Sequence, residues 1–179
     1  MLWLLSLALT PALAGPPAQT AMDRAPADHP AVAMLASPER RVRSTDARIT
    51  RLIAEGVQRS RTFASIVEAL GRTDVIVYIQ PSRDLPTTIS GRLLLLPAVG
   101  QFRYLRVQVR ANLTARELIA LIGHELRHAL EVAEDRSVRD TPALVSLYQR
   151  IGRPLRGSHS FDTAAAEATG RQVREELVG

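Results

Sequence analysis

Thr114-Ala115-Arg116-Glu117-Leu118-Ile119-Ala120-Leu121-Ile122-Gly123-His124-Glu125-Leu126-Arg127-His128-Ala129-Leu130-Glu131-Val132-Ala133 is the stretch on which the reading of the chain turns. Thr114 and Glu117 have the spacing of a capping box, in which hydroxyl and carboxylate each satisfy a backbone N–H at a helix start. Leu118, Leu121, Ile122, Leu126, Ala129, Leu130 and Val132 then cover a wide apolar arc, so the helix expected over 114–133 is largely buried. His124 and His128 are four residues apart. Four residues turn about 400°, which puts both imidazoles on one face, one turn apart. That geometry suits one zinc ion held through two nitrogens. Glu125, about 100° round from His124, is placed to take a proton from a water activated by the ion and return it to a leaving amine.

Five letters of this kind also arise by chance in purely structural helices. The context separates the two readings. The flanks Leu121-Ile122-Gly123 and Leu126 embed two histidines and a glutamate in a buried helix, and burying three such groups without a shared partner is costly.

Upstream, Ile49, Leu52, Ile53, Val57, Phe63, Ile66, Val67 and Leu70 recur at helical spacing. One long helix is expected over about 45–70, capped by Ser44 or Thr45, with Asp46 in its first turn, Gly56 and Ser60 as bend points and Gly71 as the stop. The period then changes. Val75 to Gln80 reads as a strand ended by Pro81, and 91–97 as a second, more buried strand. Over 102–110, Phe102, Tyr104 or Leu105, Val107 and Val109 alternate with Arg103, Arg106, Gln108 and Arg110, which suits a half-exposed edge strand. Downstream, Thr141-Pro142 opens a helix to about 151, 152–160 is a loop, and a last helix covers about 161–177. Strands grouped before helices indicate an α+β fold.

A length of 179 residues suggests one domain. The apolar run Leu2 to Leu9, followed by Ala12-Leu13-Ala14, reads as a signal peptide over 1–14 cut after Ala14. Residues 15–43 form a Pro/Ala-rich lead-in, which leaves 44–179 as the folded domain. The expected location is therefore secreted or periplasmic, with a soluble monomer after signal removal. There is no cysteine, which excludes a lipoprotein and any disulfide. The net charge of +5 comes entirely from Arg, since no Lys occurs. These arginines are spread along the chain and aromatics are only 4%, which argues against a nucleic-acid partner and leaves contact with an anionic envelope surface open.

The order of long helix, small sheet with an edge strand, His-Glu-Leu-x-His helix and later acidic helix resembles the gluzincin branch of zinc metallopeptidases in a minimal single-domain form. The resemblance covers about 45–178, and only the motif helix is specific. It implies a zincin-like α+β fold with a three-stranded sheet, Zn2+, Glu125 as the catalytic base, and a peptide or protein substrate aligned along an edge strand at 102–110. It also implies an acidic third ligand on a later helix, followed three residues on by a small residue. Asp162-Thr163-Ala164-Ala165 fits, with Asp for the commoner Glu. The sequence departs from the family at Arg127, where an uncharged residue is usual. The long metzincin pattern is absent, because 131 and 134 are both Glu.

Other candidates stand beside Asp162. Glu131, seven residues after His124, suits orienting a ligand more than ligating. His159 can ligate or donate to an oxyanion, and Tyr148 and Arg156 are further oxyanion candidates. Glu167 reads as a solvated or paired charge and His29 as a solvated residue of the lead-in. The alternative to a peptidase is a non-enzymatic, zinc-stabilised envelope binding protein. Whether the lead-in acts as a pro-segment is left open by the sequence.

Overall fold

The computed structural model describes residues 5–6, 41–154 and 160–178. The signal cleavage site, nearly all of the lead-in with His29, and Arg156 and His159 lie outside them. The elements in chain order are β1 (Leu5–Ser6), β2 (Val42–Arg43), α1 (Ala47–Arg59), α2 (Arg61–Gly71), β3 (Val75–Ser82), β4 (Gly91–Val99), β5 (Phe102–Arg110), α3 (Ala115–Glu134), α4 (Thr141–Ile151), β6 (Arg153–Pro154), β7 (Ser160–Asp162) and α5 (Ala164–Glu176). The fold is α+β, with a mixed sheet in the order β2-β3-β5-β4 and a second small sheet in the order β1-β7-β6. No helix among the described residues is long and apolar enough to cross a membrane.

The helix expected over 45–70 is two helices. Ser60 ends α1 and caps α2 in an extended conformation, its Oγ accepting from Phe63 N. Asp46, not Ser44 or Thr45, caps α1 by accepting from Ile49 N. Glu176, at the far end of α5, accepts from Ser60 Oγ at 2.5 Å, Thr62 Oγ1 at 2.8 Å and Thr62 N at 3.1 Å. A carboxylate at a helix N-terminus is favourable, and this one joins the end of the chain to the start of α2.

The edge strand expected at 102–110 lies in the interior of the sheet. β5 pairs parallel with β3 along its whole length and antiparallel with β4 on its other side. Alternating polarity reports that one face of a strand is solvated, and it carries no information about whether both sides are hydrogen-bonded. β4, within 91–99, is the edge of this sheet. Pro81 does not end β3, because β2 pairs with β3 only at Val77 and Tyr78, so the missing N–H of Pro81 breaks no ladder bond on that side. The ribbon of β6 and β7 had no hydrophobic alternation to announce it.

The inner face of the sheet presents Val75, Val77, Ile79, Leu93, Leu105, Val107 and Val109 to the helices. α3 packs against this face and carries α5, α1 and α2 on its other sides, which is why nearly all of it is buried. Its capping box forms as the sequence predicts.

Arg103 also points inward and is fully buried. It donates to both carboxylate oxygens of Asp74, at 2.9 and 2.7 Å. It also donates to the carbonyls of Val132, Ala133, Asp135 and Val138 at 2.8–3.2 Å. A strand residue thus caps the C-terminal end of α3, where cations are favoured. Arg103 holds the Asp74 carboxyl below its usual range. Replacing Arg103 by Met would leave these acceptors without a donor and should cost about 3 kcal/mol or more. Urea unfolding that loses less than about 1 kcal/mol would show the cap to be unimportant.

Candidate metal centre

α3 brings His124 and His128 to one face with their rings 4.8 Å apart. Both are fully buried. Asp162 arrives from β7, not from the last helix, because α5 begins only at Ala164 with Thr163 as its N-cap. Asp162 Oδ1 lies 3.5 Å from His124 Nε2 and 3.4 Å from His128 Nε2. Among the described residues these three side chains form the group that can hold a metal ion, with donor atoms within 4.8 Å of one another.

Of the Ala run at 164–166, Ala164 and Ala165 are exposed and Ala166 alone is buried. A Cβ at Gly170 would sit 3.2 Å from His124 Cβ, and one at Gly123 would sit 3.0 Å from Val173 Cγ2. α3 and α5 therefore meet through two glycines, with buried Ala120 and Ala166 beside them. The His124 ring has its Nδ1 side toward α5, where it meets the Ala166 backbone.

His128 is oriented by Glu131. Its Nδ1 lies 2.9 Å from Glu131 Oε2, so Nδ1–H donates to the carboxylate and Nε2 faces Asp162. The other Glu131 oxygen accepts from Thr163 Oγ1 at 2.7 Å, and Thr163 Oγ1 accepts from Ala166 N. Glu131 thus holds the His128 ring, and Thr163 was the residue the sequence reading missed. Its signal was present, since a Thr before an Ala run is a standard N-cap pattern.

Glu125 is fully buried, and neither of its oxygens has a hydrogen-bond partner among the described residues. Gly91 of β4 lies directly over it: a Cβ there would overlap Glu125 Oε1 and touch Leu121. The edge strand beside Glu125 is therefore β4. Arg127 does not enter the ligand group. Its guanidinium runs along its own helix to 3.8 Å from Glu131 and 3.5 Å from Glu134. Tyr148 donates to the His128 carbonyl at 3.2 Å and packs edge-on against the His128 ring, behind the ligands. Glu167 pairs with Arg153 at the surface. β1 pairs antiparallel with β7 and lies alongside β4, next to this region.

Burial and mutual charge shift all three groups. Burial, then the charge of His128, lowers His124 to about 3. Burial raises Glu125 to about 8. For His128 burial acts downward but is outweighed by the Asp162 and Glu131 carboxylates, which raise it to about 9. Buried groups this far displaced, with Glu125 and His128 Nε2 lacking hydrogen-bond partners, are costly in isolation. A cation accepting the two Nε2 lone pairs and Asp162 removes that cost, so the donor set fits a metal. Neither a family model, nor a curated protein, nor a solved structure matches the chain.

Because the Asp162 and Glu131 carboxylates raise His128 to about 9, a metal competes with a proton for this ring. Affinity should rise by about tenfold per pH unit toward pH 9. Titration calorimetry in buffers of different ionisation enthalpy should report at least one proton released; proton-free uptake contradicts this arrangement. Glu131→Gln removes the charge that orients His128 and should weaken metal affinity by about 10–100-fold. An unchanged dissociation constant would assign Glu131 to packing alone.

Proposed function

We propose that the chain is an exported zinc metallopeptidase of gluzincin type, in which His124, His128 and Asp162 hold zinc and Glu125 is the catalytic base. The observation that carries this reading is the unpartnered Glu125 carboxylate, buried on the turn between the two histidines. A purely structural site needs its three ligands and has no use for a fourth polar group beside them. Two imidazoles and a carboxylate are a donor set that zinc accepts, with a coordination position left over.

When bound, zinc supplies Lewis acidity toward a carbonyl and acidifies water. The remaining work falls to the chain. A dication nearby stabilises the ionised form of Glu125 and lowers its pKa from the raised value of the metal-free site. Glu125 then takes a proton from water and delivers it to the departing amine nitrogen. Glu131 keeps His128 in the one tautomer that leaves Nε2 free. Gly91, with no side chain, lets β4 lie directly over the Glu125 carboxylate, and the edge of β4, which β1 lies alongside, offers backbone N–H and C=O groups to an extended peptide. This alignment role belongs to β4 rather than to the strand at 102–110.

A second reading, a non-enzymatic zinc-stabilised envelope protein, is favoured by one observation. His124, Glu125 and His128 are all at 0% exposure, so a substrate reaches them only if the cover moves. Glu125→Gln separates the two. For a peptidase it should lower hydrolysis of an unstructured protein substrate by about 10²-fold or more while zinc content stays near one per chain. A variant as active as the wild type would remove Glu125 as the base, and a wild type that binds zinc and cleaves nothing would leave the structural reading standing.

A further inference from the structure

The outward face of the sheet, opposite the metal centre, carries a pattern that the peptidase reading does not use. The register brings Arg43, Tyr78, Arg106 and Leu94 into one row across the four strands. Gln80, Gln108 and Arg92 form the next row, and Ile76, Tyr104 and Leu96 the row on the other side. No Asp or Glu occurs anywhere in β2, β3, β4 or β5. Neighbouring strands lie about 4.8 Å apart and alternate residues about 6.6 Å apart, so the backbone positions of Arg43, Arg106 and Arg92 lie within about 16 Å of one another. Except for Ile76, which is buried, the side chains in these rows are half-buried.

The cations are held on the face. Arg92 Nε donates to Gln108 Oε1, and Arg43 donates to Tyr78 Oη at 3.4 Å with its guanidinium 6.0 Å from the ring. Arg106, at the centre, has no carboxylate partner among the described residues. Arg110 lies on the same face, but its Nη2 donates to loop carbonyls of Pro86 and Ile89.

We infer that this face docks on an anionic phospholipid surface. Charge complementarity selects an anionic partner. The choice among anions follows from the rest of the face. Single-stranded nucleic acid wants successive open aromatic platforms, and here Arg43 stands over the Tyr78 ring. Arg with Leu94, Leu96 and Tyr104 instead matches a headgroup layer, which takes up guanidinium groups, tyrosine rings and shallow apolar side chains together. This inference is independent of the metal centre.

The test is co-sedimentation of the full chain with vesicles of phosphatidylcholine alone or with phosphatidylglycerol. Binding should require the anionic lipid and weaken as salt is raised. R92E/R106E should reduce it by about tenfold or more, and R92Q/R106Q should reduce it less, with thermal melting as the check that both variants fold. R51E/R61E makes the same change in net charge on exposed helix positions and should bind as the wild type does. Equal binding to both vesicles, no loss in either sheet variant, an equal loss in the helix variant, or tighter capture by a single-stranded oligonucleotide would each overturn the assignment.

Discussion

The bond from Thr163 Oγ1 to Glu131 Oε1 joins the two parts of the chain from which the metal centre is assembled. Glu131 stands one turn beyond His128 on α3, and Thr163 immediately follows Asp162. One carboxylate therefore fixes the tautomer of one ligand and the position of the segment that supplies another. Thr163 also caps α5, so the helix, its cap and the ligand before it move as a unit. The far end of that unit is held by Glu176 on the start of α2. With α5 tied at both ends, the short Asp162 side chain reaches two imidazoles.

Close helix contact is the second requirement. Gly123 and Gly170 remove the side chains that would hold α3 and α5 apart. Gly91 does the same between β4 and Glu125. Arg103 acts from the other end of α3, closing its C-terminal carbonyls against the sheet. A helix that buries two histidines and two glutamates gains less from apolar packing than an ordinary core helix does, and its capping box, its Arg103 cap and its tight glycine contacts offset part of that loss.

The sheet separates two environments. Its inner face is apolar except for Arg103 and supports the helix that carries His124 and His128. Its outer face is basic and free of carboxylates. A strand such as β5 serves both because alternate residues face opposite ways, so one stretch of sequence contributes Leu105 and Val107 to the core and Arg106 and Gln108 to the surface.

The sequence by itself determined what depends on local spacing. The capping box at Thr114 and Glu117, the apolar arc of α3, the common face of His124 and His128, the position of Glu125 between them and the α+β order of elements all follow from the 3.6-residue turn and the two-residue pleat. The place of Glu131 on that face was legible for the same reason, since seven residues separate it from His124, while its bond to His128 came from the structure. Tertiary structure decided what depends on segments far apart in the chain. It split the first helix at Ser60, because Glu176 waits there to satisfy the new helix start. It put β5 inside the sheet and β4 at its edge, which strand polarity does not encode, and turned Arg103 inward to acceptors some 30 residues away. It also moved Asp162 out of a helix onto a strand and made Thr163, Gly91 and Gly170 parts of the site. Each is a contact between residues with no shared period, so no pattern along the chain could have announced it.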